Sequence, residues 1–196
     1  MTGVLDRIAG VAADRRGVIL VGSWAFAEAI ALPVVPDIAL GLLALAAPRH
    51  ALRLFVVLVV TALAGTAVLY AVAVAAPDAA SALLTALPGI DAATLDAARQ
   101  AVAGGDPTAV AGFGPGMPLK VYTVAWATGP ASPAALALGV VLNRVTRVGP
   151  VVLALAVLGR LAPAFLRRHE RLVLVVYAAA WVAVYVLYLG LVPGLR

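Results

Sequence analysis

Two acidic and three basic residues lie within apolar stretches of this chain, and together they have the chemistry to bind a charged group or to carry a proton. Glu28 and Asp37 flank a segment that contains two prolines, whereas Lys120, Arg144 and Arg147 belong to the second half. A charge costs about 3 kcal/mol at the centre of a bilayer, so it usually persists for a pathway or a partner. A carboxylate can exchange a proton in such surroundings, and a guanidinium group can bind a phosphate. We therefore take these five residues as candidates for substrate or ion binding.

The composition predicts an integral membrane protein. The 196 residues are 64% hydrophobic and only 12% charged, with a mean hydropathy of +1.09, which is far more apolar than a soluble domain of this length. The absence of cysteine excludes disulfides and thiolate metal sites. The net charge of +5 comes from basic residues beside apolar stretches. This placement favours cytoplasmic loops and anionic lipid headgroups over nucleic acid.

The first apolar stretch of the polytopic domain is broken in its middle. Residues 1–16 are predicted to form an amphipathic N-terminal segment, and residues 17–196 a single membrane domain. Pro33 and Pro36 divide residues 17–47 into halves of about 15 residues, each about 22 Å long as helix and too short for a hydrocarbon core of about 30 Å. Basic residues stand on both sides of the stretch, which predicts that it enters and leaves by the cytoplasmic face. We expect a re-entrant hairpin; two short full spans remain the alternative.

The rest of the chain repeats this plan. Residues 54–76 are predicted to span the membrane, and residues 77–109, rich in aspartate, to form an extracytoplasmic segment. Residues 110–132 contain several glycines and prolines and are predicted to form a second hairpin from the opposite face. Transmembrane helices are predicted at 133–161 and 172–191. The residues expected to set the elbows of the two hairpins are Pro33, Pro36, Pro115, Gly116 and Pro118.

These elements predict an all-α integral membrane fold. It is an inverted repeat of two opposed re-entrant helical hairpins, each followed by a transmembrane helix, with a C-terminal transmembrane helix added. Inverted repeats place a binding site near the midplane, where the broken segments meet. Here one half supplies the acids and the other supplies the bases. Arg144 and Arg147 are three residues apart, so they are expected to share a helical face.

Each candidate residue also has a structural interpretation. Glu28 could form an ion pair with Arg144 or Arg147 that only holds the hairpins together, and Asp37 could cap the helix that follows it. Lys120 could extend to an interface. Catalysis, a metal and a cofactor are not expected, because His50 and His169 lack ligand neighbours at helical spacing and no nucleophile or nucleotide motif occurs.

The motifs of both hairpins resemble those of the DedA family, whose domain is shared with the eukaryotic VTT scramblases. The first-half positions that match the family pattern are Glu28, Pro33, Pro36, Asp37, Gly65 and Tyr70. Residues 118–125, Pro-Leu-Lys-Val-Tyr-Thr-Val-Ala, are similar to the Pro-Tyr-Lys-Val-Phe-Thr-Ile-Ala of the YqaA-like branch, and residues 143–147 to its Gly-Arg-x-x-Arg. Two positions depart from the pattern, since Thr66 replaces a frequent acid and Gly112 replaces the first arginine of the second hairpin.

The resemblance implies a multi-pass protein of the bacterial inner membrane that moves a lipid between leaflets. The implied substrates are phosphate-bearing lipids such as a lipid-phosphate carrier, with protons as a coupling ion. The alternative is a structural membrane scaffold whose buried ion pairs support partner helices. A lipid-modifying enzyme is the least supported interpretation, because no buried histidine or serine-base pair is found. The lipid, the direction of movement and the oligomeric state are left open.

Overall fold

The computed structural model describes residues 3–111, 117–129 and 132–191, and these residues form helices without any strand. This confirms the predicted all-α class. The helices are α1 (Val4–Ala13), α2 (Arg15–Ile30), α3 (Asp37–Ala46), α4 (Ala51–Ala75), α5 (Pro77–Thr85), α6 (Ala92–Val102), α7 (Thr108–Ala111), α8 (Leu119–Ala127), α9 (Pro133–Asn143), α10 (Gly149–Leu161), α11 (Pro163–Arg168) and α12 (Glu170–Leu191). A 3₁₀ turn at Pro48–His50 precedes α4, and a π turn at Arg144–Val148 joins α9 to α10.

Three helical segments are long and apolar enough to cross a membrane. They are Pro48–Ala75, Pro133–Leu161 and Glu170–Leu187. Their outer surfaces carry many exposed aliphatic side chains, such as Val60 on α4, Leu153 on α10 and Val175 on α12. An apolar exterior of this extent needs an apolar surrounding rather than water. The three segments therefore indicate a membrane protein.

Prolines explain the two interruptions in the long apolar stretches. Between α2 and α3 the helix is lost from Ala31 to Pro36, at the position that Pro33 and Pro36 predict. In the second half, Pro150 is the second residue of α10 and lies two positions after the π turn. A proline inside a helix lacks an N–H and clashes with the carbonyl four residues earlier, here that of Thr146. The wider turn accommodates this clash without ending the helix.

Glycines let α2 pack closely along α4. A Cβ at Gly22 would lie 3.3 Å from both Val57 and Thr61, and a Cβ at Gly65 would lie 2.6 Å from the Phe26 carbonyl oxygen. Gly22 in α2 thus packs on Val57 and Thr61 of α4, and Phe26, which lies later in α2, packs on Gly65, which lies later in α4. The two helices run in the same direction, and close backbone contact fixes their relative height.

The chain reverses after the break. The last turn of α3 lies against α10, because Gly159 packs on the backbone of Leu45. Leu45 also belongs to a small apolar cluster with Leu5 and Leu166, near the first turns of α12. The end of α3 therefore returns to the end of the molecule where α1 lies and where α12 begins.

Helices α5 and α6, which lie between α4 and α8 in the chain, pack on α8, part of the second broken segment at residues 110–132. Leu84 of α5 and Leu95 of α6 belong to one buried cluster with Val124 and Trp126 of α8. Asp91 begins α6 by accepting hydrogen bonds from the Thr94 hydroxyl and backbone N–H, which lower the pKa of its carboxyl below the usual range. The predicted elbow residues Pro115 and Gly116 lie outside the described residues. Pro118 is extended and immediately precedes α8.

The N-terminal helix α1 lies against the rest of the fold. Its side chains Leu5 and Ala12 are buried, and its Ala12 carbonyl accepts a 2.8 Å hydrogen bond from the Arg53 guanidinium of α4. Val4, in contrast, is exposed. The buried face of α1 is therefore directed at the protein.

Candidate functional site

The core of the site is an ion pair between the two halves of the chain. Arg144 donates a hydrogen bond from Nη2 to Oε2 of Glu28, and the two residues are 4% and 5% exposed. Glu28 stands in the last turns of α2, and Arg144 begins the π turn after α9. Burial of two charges is tolerated only with close pairing and further hydrogen bonds. The Nε atom of Arg144 is also buried, and no described atom accepts a hydrogen bond from it.

The Lys120 side chain connects the second broken segment to the first. Its ammonium group donates a 2.7 Å hydrogen bond to the carbonyl oxygen of Leu32, which lies in the break between α2 and α3. The side chain is buried and interacts electrostatically with Glu28 and Arg144. It therefore does not extend to an interface. Within the described parts of the chain, Lys120 forms no ion pair, so its charge is only partly compensated.

Asp37 stands near the ion pair without joining it. It is the first residue of α3, and its Oδ1 atom is buried with no hydrogen-bond partner among the described residues. No capping hydrogen bond from a side chain is present at this helix start, although a carboxylate there is favoured by the helix dipole. Asp37 interacts electrostatically with Arg144, Glu28 and Arg147. An unsatisfied acceptor in this position is available to a ligand, a water molecule or a proton.

Arg147 does not share a face with Arg144, contrary to the expectation from their spacing. Arg144 is buried, whereas Arg147 is exposed at the surface of the helical segment Pro133–Leu161. The π turn is the physical reason, because it rotates the chain less per residue than an α turn does and so separates side chains three positions apart. Arg147 still interacts electrostatically with Asp37 and with Tyr122. The charged cluster therefore reaches the outer surface through Arg147.

Side chains from other helices satisfy the backbone of the break between α2 and α3. Trp24 Nε1 donates to the Val34 carbonyl at 2.8 Å, and the Tyr185 hydroxyl accepts from the Val35 N–H at 2.9 Å. In the first turn of α3, the Ile38 carbonyl accepts a 2.7 Å hydrogen bond from the Tyr177 hydroxyl. Non-helical backbone groups that do not contact water need such internal partners. We refer to Ala31–Pro36 with these contacts as the tethered elbow.

Sequence reasoning missed several of these polar residues. The sequence assigns no specific role to the aromatic residues Trp24, Tyr177 and Tyr185, but each makes a backbone hydrogen bond at the tethered elbow. Thr66 is buried next to Gly65, and its hydroxyl has no partner in the described structure. The sequence signal for Thr66 is a polar residue beside Gly65 in a largely apolar helix.

A second buried contact supports the helix that carries Arg144. The Asn143 amide donates a 2.9 Å hydrogen bond to the Val110 carbonyl of α7. Gly139 of α9 likewise packs against the backbone of Pro107 and the side chain of Val110. The end of α9 is thereby fixed just before the π turn, so Arg144 enters the site from a supported backbone.

The five predicted residues thus form one charged cluster. The structure brings Glu28, Lys120 and Arg144 together in its interior, places Asp37 beside them and leaves Arg147 at the outer edge. With ordinary charges the cluster contains two negative and three positive groups, so an added anion would neutralise it. No group of three potential metal ligands occurs among the residues that the structure describes.

Comparisons of the chain with protein-family models, curated proteins and solved structures found no match. The fold itself defines the class: an all-helical protein with three segments that can cross a membrane and a charged cluster buried where its two broken segments meet.

Proposed function

We propose that the protein moves a lipid, most specifically a phosphate-bearing one, between the leaflets of a membrane through the charged cluster. The observation that carries this proposal is a net positive cluster in which the Arg144 Nε donor has no acceptor among the described residues and Arg147 is exposed. A phosphate headgroup arriving at Arg147 would meet the guanidinium of Arg144 next. Acyl chains would stay outside, along the apolar surface of α10.

Re-entrant geometry is part of the same proposal. α2 and α4 run in parallel, and α2 ends near the level of Gly65, well before α4 ends at Ala75. The tethered elbow would therefore lie at depth within the membrane, with α3 returning to the starting side. A second hairpin from the opposite side would bring α8 to the same depth, as the contact between Lys120 and Leu32 favours.

Protonation of an acid supplies a way to couple movement to a proton gradient. Asp37 has a buried oxygen without a hydrogen-bond partner among the described residues, and Glu28 shares Arg144 with the incoming phosphate in this scheme. When the phosphate binds the Arg144 guanidinium, the Glu28 carboxylate loses its counter-charge and would bind a proton. Release of the phosphate would reverse the exchange. The protein would then act as a DedA-like transporter of a bacterial inner membrane rather than as an enzyme.

A structural scaffold is the second candidate, and a specific observation favours it. The direct pair between Glu28 and Arg144, and the use of Lys120 to bind a backbone carbonyl, are also what a purely structural cluster would contain. In that case the charges would hold the broken segments together and bind no lipid.

A charge exchange separates the two candidates. Purified wild-type protein and the double variant Glu28→Arg/Arg144→Glu are reconstituted into vesicles, and both the unfolding temperature and the translocation of a fluorescent anionic phospholipid are measured. A transporter is expected to translocate in the wild type and to lose translocation in a folded double variant, because the phosphate would meet a carboxylate after Arg147 in place of the Arg144 guanidinium. A wild type without translocation, or full translocation in the exchanged variant, would contradict the proposed site.

A further inference from the structure

A groove on the outside of the molecule lies between the first turns of α4 and the whole of α10. It has a volume of about 320 Å³. Small buried residues form its floor, with Ala51 and Val152 each 5% exposed, and the side chains of Leu52 and Leu153, 74% and 65% exposed, stand at its edges. The groove is separate from the charged cluster, since none of the five candidate residues lines it.

The groove is apolar along its length and has a cation at one end. It extends along α10 from Gly149 to Arg160, and every other residue that lines it is apolar or glycine. Arg160 lies one residue before the end of the membrane-crossing segment Pro133–Leu161, and Pro48 begins another such segment at the same end. The guanidinium therefore stands at the level where the membrane-crossing segments end. Within the described chain, Arg160 forms no ion pair or side-chain hydrogen bond.

The length of the groove matches one leaflet. Eleven helical steps separate Gly149 from Arg160, or about 16 Å, which is half of a hydrocarbon core of about 30 Å. An apolar transmembrane helix of a partner would leave Arg160 without a counter-charge, and a helix that spans the membrane would be about twice as long as the groove. An acyl chain in the groove with an anionic headgroup at Arg160 satisfies both the length and the charge. Basic pockets between transmembrane helices bind anionic headgroups in this manner.

We propose that this groove is a binding site for one anionic phospholipid, which stays bound at the surface of the protein. The acyl chain lies between Leu52 and Leu153, and the phosphate is bound by Arg160. This inference does not depend on the proposed translocation, because the groove shares no residue with the cluster.

The site can be tested by native mass spectrometry of the full chain released from detergent micelles that contain phosphatidylglycerol or phosphatidylcholine. The wild type is expected to retain one phosphatidylglycerol in preference to phosphatidylcholine. Arg160→Gln should weaken retention of phosphatidylglycerol on the order of fivefold, the usual contribution of one basic residue near a membrane surface. The matched control is Arg171→Gln, an exposed arginine at the start of α12 that does not line the groove, and it should retain the lipid like the wild type.

A second variant tests the apolar part of the site. Val157→Trp places a large ring at a half-exposed position of the groove and should reduce retention of both lipids, with unchanged helicity and a single peak on size exclusion. If that protein does not fold, Leu52→Trp on the exposed opposite edge serves the same purpose. Equal losses in Arg160→Gln and Arg171→Gln, or full retention in a folded groove-filling variant, would overturn the proposal.

Discussion

At the scale of single residues, Glu28 and Arg144 stay paired because separating two buried opposite charges costs free energy. Each member is almost completely buried, so removal of one leaves the other as an uncompensated charge. This cost is about 3–5 kcal/mol for buried pairs, whereas a pair of well-packed neutral residues is often tolerated. A pair with these energetics can be opened only by another charge that replaces the lost partner, such as a proton on Glu28 or a phosphate on Arg144.

A double-mutant cycle measures this coupling. Glu28→Gln is expected to lower the free energy of unfolding by about 3–5 kcal/mol, and Arg144→Gln by a similar amount. The double variant should lose less than the sum, because neither charge is then left alone. Reversible unfolding in mixed micelles, followed by circular dichroism, provides the four values.

The matched control for this cycle is the exposed pair of Asp96 and Arg99 on α6, with an N–O distance of 2.8 Å. Asp96→Asn should change stability by no more than about 1 kcal/mol, as surface pairs do. Losses of equal size in Glu28→Gln and Asp96→Asn would mean that the buried pair does not hold the two halves together.

At the scale of helices, α12 is more than an apolar segment that is long enough to cross a membrane. Most of its side chains are exposed, but Tyr177 and Tyr185 reach the start of α3 and the tethered elbow. Tyr177 also occupies the space beside Gly41, where a Cβ would lie 2.6 Å from the tyrosine oxygen. The position of Asp37, between these two tyrosine contacts in sequence, therefore depends on α12. Movement of α12 would change the surroundings of the acid.

Loss of one tyrosine hydroxyl should loosen the tethered elbow locally. Tyr185→Phe removes the acceptor of the Val35 N–H and is expected to cost about 0.5–1.5 kcal/mol. Hydrogen exchange at the Val35 amide should then accelerate by up to about tenfold, since 1.4 kcal/mol corresponds to a factor of ten. Tyr70→Phe is the control, because no hydrogen bond of the Tyr70 hydroxyl is found in the described structure. Equal hydrogen-exchange rates of the Val35 amide in Tyr185→Phe and Tyr70→Phe would argue against a tether by the Tyr185 hydroxyl.

The close contact between α2 and α4 makes a second prediction at this scale. Gly65→Ala places a methyl group 2.6 Å from the Phe26 carbonyl oxygen and 2.9 Å from the Ala29 side chain. The helices must move apart, so we expect a loss of about 1–3 kcal/mol and a displaced Glu28. Gly10→Ala in α1 has no atom within 4 Å of the new methyl group and should stabilise the protein by about 0.5–1 kcal/mol. Thermal unfolding compares Gly65→Ala and Gly10→Ala with the wild type. A Gly65→Ala variant as stable as the wild type would refute the close contact between α2 and α4.

At the scale of the whole molecule, the sequence predicts the helices and the break between α2 and α3 better than it predicts the side-chain contacts. Apolar length and Pro33 with Pro36 act locally, so the helical class and the first break follow from nearby residues. The partner of Glu28 was limited to two arginines by charge alone. The choice between them depends on the π turn beside Pro150, which alters the helical periodicity assumed for Arg147.

The tethers of the elbow were beyond sequence reasoning for a different reason. Trp24, Tyr177 and Tyr185 look like ordinary aromatic residues of an apolar helix, and 150 residues separate Tyr185 from its partner Val35. The contacts of Tyr177 and Tyr185 depend on how α12 lies against α3, and that of Trp24 depends on how the chain turns back after α2. No local pattern specifies either arrangement. Burial of Lys120 against a carbonyl, rather than extension to an interface, has the same origin.

The most direct test of the proposed transport is a substitution of Arg147. This exposed residue belongs to the charged cluster but has no ion pair in the described structure. Its loss should therefore not unfold the protein. Arg147→Gln is compared with Arg168→Gln, an exposed arginine of α11 remote in sequence from the cluster, in vesicles that contain a fluorescent anionic phospholipid. The account predicts that Arg147→Gln retains the wild-type unfolding temperature and translocates the lipid at least about tenfold more slowly, the effect of losing about 1.4 kcal/mol of phosphate binding in the transition state. Arg168→Gln should translocate at the wild-type rate. Equal rates in the two variants and the wild type would contradict the account.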